Sequence, residues 1–330
     1  MNYSKIWVTV FFYCFFVISS LLVVTLFTAN FYGDLTRIGR LSEYYFGWRA
    51  SKPSIDSTQL KSSKFTDANI IVIGDSFSIG LIWQSALIRN GFSVKTLSWN
   101  EVGFICPDFE SWLRKNGFKG NTVIIESIEW ATDGNLTESL ACKKTNVAIK
   151  DIEKLSPPPG SSPPQFSLSW NEKITTGLFV LANTLLAMKI ESDLIFHDTG
   201  PHYVAVKSVT NGCLYFSNRS CNKSLFMNRD FEHPRLGKDT IVSIKKINEG
   251  IKNLNLIWVV IPDKSSVYFE TDDYFWRELE KYKLGPNLLR NFKKDKSIVL
   301  DLYAPNNTHL STAGYLLLGN VISNEVKKSQ

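Results

Sequence analysis

Two residues of this chain, Ser76 and His309, have the types and surroundings that covalent chemistry needs. A serine hydroxyl becomes a useful nucleophile when a base stands close enough to take its proton. Ser76 stands in Gly74-Asp75-Ser76-Phe77-Ser78, directly after the β-branched run Ile70-Ile71-Val72-Ile73. A serine between a buried strand and the helix that follows has its hydroxyl exposed at the ligand-binding edge of an α/β sheet. Beside it lie backbone N–H groups without intrahelical partners, which can receive an oxyanion. Gly74 permits the tight strand-to-helix turn, and Asp75 braces that turn. Asp and Ser are also ordinary helix caps, so the tripeptide alone is a weak signal. The candidate base is His309, in Asn306-Asn307-Thr308-His309-Leu310-Ser311-Thr312-Ala313-Gly314-Tyr315, after the last apolar run and before the last helical stretch. In a parallel sheet this places it at the same edge as Ser76, as a Ser–His pair requires.

The elements that must position this pair are legible as short apolar runs at 70–73, 94–97, 123–128, 256–261 and 298–300. Their lengths and β-branched content predict buried strands. Helix-compatible stretches at 77–90, 108–116, 239–252 and 311–325 alternate with them, which predicts an α/β fold of three layers around a parallel sheet. The alternation is broken by an insertion at about 131–255, which contains a Pro-rich stretch at 156–164. Ile174, Leu178, Leu181, Leu185 and Met188 recur there at helical spacing and are expected as core.

The segment 6–28 is 23 residues without a charge, enough to cross roughly 30 Å of hydrocarbon. Residues 1–29 are therefore expected to form a single transmembrane anchor. A cleaved signal peptide is the alternative, disfavoured by the length of the run and by bulky Phe27. Residues 30–66 lack sustained periodicity and are expected to form a stalk, with a short helix around 41–48, before a domain at 67–330. The flanking charges do not decide orientation. Cys106, Cys142, Cys213 and Cys221 are an even set outside the span; pairing of Cys213 with Cys221 and of Cys106 with Cys142 would place the domain in an oxidising compartment. Reduced buried thiols are the alternative. The formal charge, 37 Lys and Arg against 31 Asp and Glu, is +6, which would suit an acidic polymer or anionic lipid or simply make a solvated surface. No phosphate cradle and no His-Glu-x-x-His occurs, so neither nucleic acid nor cofactor nor metal is expected.

With these motifs on the page, the sequence resembles the SGNH (GDSL-type) hydrolase superfamily. Gly74-Asp75-Ser76 matches the nucleophile block, and His309-Leu310-Ser311 with Gly314-Tyr315 matches the closing block. The resemblance implies a flavodoxin-like parallel sheet, Ser76 as nucleophile, His309 as general base and then acid, and an oxyanion hole from Ser76 and Gly103. Where the superfamily has an acidic residue before the histidine, this chain has Asn306 and Asn307, so either the pair acts as a dyad, or a carboxylate such as Asp301 substitutes, or the site is inactive. The third block, Ile124-Ile125-Glu126-Ser127-Ile128-Glu129-Trp130, is similar to that of the alginate O-acetyltransferase branch, as is Pro262-Asp263-Lys264 with Tyr268.

The resemblance implies a membrane-anchored O-acetyltransferase facing the periplasm or a comparable space. Its acetyl donor would be delivered by a membrane partner, and its acceptor would be a cell-surface or exported polysaccharide. An esterase acting on acetylated glycans is one alternative; a non-catalytic glycan-binding or assembly subunit that keeps the fold is the other. Trp83, Trp99, Trp112 and Trp130 fall near the expected crevice and could stack on sugars, although core packing is the commoner use of such residues.

Overall fold

The computed structural model describes residues 3–145, 160–191, 193–197 and 202–329. The Pro-rich stretch therefore lies outside the described residues up to position 159. Among the described residues the strands are β1 (Ile70–Gly74), β2 (Val94–Ser98), β3 (Thr122–Ile128), β4 (Leu194–His197), β5 (Tyr203–Ser208), β6 (Lys223–Met227) and β7 (Asn255–Ile261). The helices of the first half are α1 (Tyr3–Thr28), α2 (Asp34–Gly39), α3 (Glu43–Phe46), α4 (Ser76–Ile79), α5 (Gln84–Arg89), α6 (Trp99–Val102) and α7 (Phe109–Lys115). Those of the second half are α8 (Glu129–Ala141), α9 (Thr176–Lys189), α10 (Lys238–Gly250), α11 (Lys264–Tyr268), α12 (Tyr274–Lys281), α13 (Leu288–Asp295) and α14 (Thr312–Lys328).

The chain forms two compact units. One holds Lys52–Ser161, Arg229–Tyr303 and His309–Gln330. Its sheet is four-stranded and parallel, in the order β2-β1-β3-β7. Ile70, Ile71, Val72 and Ile73 of β1 and Val123, Ile124 and Ile125 of β3 are all buried. Such continuous apolar strands belong to a parallel sheet covered on both faces. The α/β expectation and four of its strands are present. The fifth is not: residues 298–300 form a turn in which the N–H groups of Ile298 and Val299 both donate to Asp295 O, at 2.9 and 2.8 Å. Ile298 is 75% exposed. The helix expected over 77–90 is broken into α4 and α5 by Gly80 and by Leu81, whose φ is +56°.

The other unit assembles Met1–Ser51, Ser162–Asn228 and Ala304–Thr308. It carries an antiparallel sheet, β4-β5-β6, against which α2 and α9 pack Leu35, Ile38 and Ala187. Residues 30–51 are therefore not an exposed stalk, since Leu35, Leu41 and Phe46 are fully buried. The expected insertion also divides, with 162–228 in this unit and residues from Arg229 onward in the other. α1 is 26 residues long and mostly exposed, with a mean hydropathy of 2.5 over its most apolar window, long and apolar enough to cross a membrane. Cys106 bonds to Cys142 and Cys213 to Cys221, with Cα atoms 5.4 and 4.6 Å apart.

Candidate active site

β1 ends at Gly74, and the chain turns sharply into α4. A Cβ at Gly74 would lie 2.2 Å from Ser78 Oγ and 2.4 Å from Glu126 Oε2, so no larger residue fits. Asp75 joins two elements: its Oδ1 accepts from Phe77 N at 2.9 Å, capping α4, and its Oδ2 accepts from Ile128 N at 2.8 Å, tying the turn to the end of β3. Asp75 therefore braces the turn, as its sequence position implies. Ser76, at the first helical position, is exposed.

His309 enters from the opposite end of the chain. Tyr303 and Leu310 form an isolated antiparallel bridge on either side of it, and Ser311 Oγ caps α14 by accepting from Gly314 N at 3.2 Å. This short excursion holds the imidazole so that Nε2 stands 2.9 Å from Ser76 Oγ. The Phe77 ring lies 4.7 Å from the imidazole, centre to centre, and Tyr315 stands 6.0 Å beyond Phe77. With the Nδ1–H tautomer, Nε2 can accept the serine proton, as nucleophilic activation requires. Asp75 is committed to backbone N–H groups of the turn and β3.

The other expected site residues are placed differently. Gly103 follows α6 with φ +75°, and its N–H donates to Trp99 O at 2.7 Å. In this conformation that N–H closes a turn and is not directed to an oxyanion; a role there requires the Gly103 peptide to rotate. Asn306 is fully buried in the other unit, where its Nδ2 donates to Glu43 Oε2 at 2.8 Å. Burial raises the Glu43 carboxyl above its ordinary value against the hydrogen bonds it accepts, including those from Thr36 and Asn306. Asp301 is buried with φ +55°. Its charge raises the Lys52 amine, which burial has lowered, and the net result is about 8.

Two further groups of residues lie at the sheet, and what each brings together was not legible in the sequence. Glu126, in β3, is completely buried beneath the turn; its Oε2 accepts from Asp75 N at 3.0 Å and from Ser78 Oγ at 2.6 Å. Ser78 Oγ in turn accepts from Trp83 Nε1 at 3.2 Å. Burial, reinforced by the Asp75 charge, raises the Glu126 carboxyl well above its ordinary value and so favours its protonated form. The block was visible in the sequence; its burial under the Gly74–Ser76 turn was not.

The second group stands where β3 and β7 end. One potential ligand atom each of Glu129, His233 and Asp263 lies within 4.8 Å of the others, close enough to share a cation. They are already partnered: His233 Nε2 meets Asp263 Oδ2 at 2.6 Å, and Asp263 N donates to Glu129 Oε2 at 2.9 Å. Arg235 approaches Glu129 Oε1 at 3.6 Å. Burial raises the Asp263 carboxyl to about 6, opposed by the hydrogen bond from His233. For His233 burial acts downward, but the bond to Asp263 and its charge outweigh it and raise the imidazole. Lys264 and Tyr268, next in chain, are buried, and Tyr303 Oη donates to Pro262 O. No spacing signal links three segments so far apart in sequence.

Of the four tryptophans, Trp83 and Trp112 are core residues. Trp99 is half-buried and donates from Nε1 to Glu126 O at 2.8 Å. Trp130 is 36% exposed, with the Arg229 guanidinium 3.8 Å above its ring. The strand order places β1 and β3 side by side at the centre of the sheet, and Ser76, Glu129 and Asp263 follow the carboxyl ends of β1, β3 and β7. In an open parallel sheet this edge, at the point where strand order reverses, is where ligands bind. No protein-family model, curated protein or solved structure matches the chain.

Proposed function

We propose that the protein is a membrane-anchored, extracytoplasmic O-acetyltransferase of the SGNH type that modifies a cell-surface or exported polysaccharide. The observation that carries this reading is the 2.9 Å approach of His309 Nε2 to the exposed Ser76 Oγ at the carboxyl edge of a parallel sheet. In the first half-reaction Ser76 Oγ attacks the acetyl carbonyl while His309 takes its proton. His309 then gives that proton to the departing donor group, leaving acetyl-Ser76. In the second half, His309 removes the proton of a sugar hydroxyl as it attacks the acetyl carbon, and Ser76 recovers its proton. Further support comes from the β2-β1-β3-β7 order, which matches the first four strands of a flavodoxin-like sheet. The apolar α1 and the two disulfides suit an oxidising space outside the cytoplasm.

A non-catalytic glycan-binding subunit is the second reading, favoured by the amide of Asn306 at the acid position and by the committed N–H of Gly103. The test uses the full chain in detergent micelles with a fluorogenic acetyl ester, intact-mass measurement and oligosaccharide acceptors. The expected result is ester turnover and a mass gain of one acetyl group, both abolished in Ser76→Ala, with turnover reduced about 10²–10⁴-fold in His309→Ala. Acetylated oligosaccharide identifies a transferase, whereas free acetate alone identifies an esterase. A folded protein with neither turnover nor adduct sinks both enzymatic readings and leaves the binding subunit.

A further inference from the structure

α9 is built the wrong way round for a helix facing water. Its inward face carries Gly177, Val180, Thr184 and Ala187, all buried. Gly177 lies so close to α1 that a Cβ there would stand 2.5 Å from Thr25 Cα, and Thr184 Oγ1 accepts from Ser42 N at 2.9 Å. Ala187 enters the core beside Leu35 and Val204. The outward half should then be polar. It instead presents Leu178, Phe179, Leu181, Leu185, Leu186 and Met188, each between 42 and 61% exposed. No charge occurs between Lys173 and Lys189. An exposed aliphatic surface of this breadth marks an interaction site.

The length of α9 narrows the choice of occupant. Its 14 residues extend about 21 Å, too short to cross a bilayer. Apolar helices of that length are core helices or interfacial segments, and exposure of the apolar half excludes the core. The surface also continues onto α1: Leu178 and Leu181 line a groove together with Val17, Leu21 and Val24 of the apolar helix. Whatever surrounds that part of α1 surrounds the outward face of α9. The flanks have the composition of a membrane–water interface. Trp170 is 73% exposed, Phe166 stacks on Phe27 at 5.9 Å, Lys173 and Lys189 bound the apolar stretch, and the Arg40 guanidinium stands 5.0 Å over the Phe179 ring.

We propose that α9 is a second membrane element, embedded beside the outer end of α1 with its apolar half covered by phospholipid acyl chains of one leaflet. The inference rests on α1 as a membrane span and is independent of chemistry at Ser76. It holds this unit at the bilayer surface by two elements, with the end of α1 as part of its fold.

The full chain, reconstituted in phosphatidylethanolamine–phosphatidylglycerol vesicles, tests this with two photoactivatable phospholipids, one reactive at mid-acyl chain and one at the headgroup. Adducts are mapped by mass spectrometry, in vesicles and in native membranes. Acyl-chain adducts are expected within 178–188 as well as on α1, with headgroup adducts near Trp170 and Lys189. The double substitution Leu181→Gln and Leu185→Gln, at exposed positions that leave the packed face intact, should remove acyl-chain adducts from α9 but not from α1. Adducts on α1 with none on 178–188 overturn the proposal. So does labelling in vesicles that disappears in native membranes, since another protein then covers the face. The acetyl-ester assay is read separately, so failure of either proposal is distinguishable from failure of the other.

Discussion

Asp75 and Glu126 both bond to the turn that carries Ser76, and the two carboxyl groups have different tasks. Asp75 accepts two backbone N–H groups, whereas Glu126, deeper and without solvent, accepts from Asp75 N and Ser78 Oγ. The raised Glu126 carboxyl has a consequence for stability. A carboxyl that holds its proton more tightly when folded than when unfolded contributes fully below its unfolded value. That contribution is lost as pH rises toward the folded value. The unfolding free energy of the wild type should therefore fall as pH rises above the ordinary carboxyl value of 4.5, relative to Glu126→Gln, which has no proton to lose. Glu126→Ala should cost about 2–4 kcal/mol throughout, because it opens a cavity and strands the Ser78 hydroxyl and the Asp75 N–H. Urea unfolding at several pH values checks both, and parallel wild-type and Gln profiles would refute the raised value of the Glu126 carboxyl. Gly74→Ala should abolish the Ser76–His309 approach, since its Cβ would collide with both Ser78 and Glu126; loss of acetyl-ester turnover in soluble, folded protein is the measure. Ser76 and His309 were legible because each sits at a junction between an apolar run and a helical stretch. Glu129, His233 and Asp263 were not, because their meeting depends on which strands become neighbours.

At the level of elements, the strands that proved readable are the four of the parallel sheet, each built around an apolar run. The apolar runs of β1, β3 and β7 are buried, as in a parallel sheet covered on both faces. Residues 298–300 have the same residue types but are claimed by the end of α13, whose terminal carbonyl at Asp295 accepts two of their N–H groups. Composition alone does not register that competition. β5 and β6 escaped notice because Lys207, Lys223 and Ser224 interrupt their apolar patterns; Lys223 is nevertheless buried, with Nζ donating to the carbonyls of Ala187 and Ile190 at 2.6 Å. The two disulfides divide between the units. Cys106–Cys142 ties the segment after Gly103 to the end of α8, where Ile105 N also donates to Ser139 Oγ at 3.1 Å. It closes a loop of 36 positions, against 8 for Cys213–Cys221. Chain entropy alone then gives about 4 kcal/mol for the first and about 2.5 kcal/mol for the second. Replacing each pair by serine and following hydrogen exchange in β3 and in β5 should show these losses separately, each confined to the unit that holds the bond. A larger loss in β5 on removing the short loop than in β3 on removing the long one would contradict the entropic ordering.

Across the whole molecule, the linear reading of anchor, stalk and domain fails because one unit is assembled from three distant segments, a property that no local window contains. Its first segment includes the end of α1, which is bound into the unit by specific contacts. Thr25 is 1% exposed; its Oγ1 donates to Ile174 O at 2.6 Å and accepts from Gly177 N at 3.2 Å. Ser169 N donates to Leu26 O at 3.0 Å, Phe27 stacks on Phe166, and Ala29 is buried. A helix joined by a flexible stalk could be cut away without effect, whereas the end of α1 is held by these contacts. A chain starting at Asn30 would leave the N-terminal end of α9 without its hydrogen-bond partner and expose the apolar face that α1 covers. A chain starting at Ser20 keeps every one of these contacts while removing most of α1. The expected outcome is that, in detergent, the Ser20 chain retains the hydrogen-exchange protection of β5 seen in the full protein, whereas the Asn30 chain loses it. Thr25→Val, which keeps the shape and removes the hydroxyl, should fall between the two, at about 1–3 kcal/mol of local destabilisation. Equal protection of β5 in the Asn30 chain and the full protein would mean that α1 is only a tether.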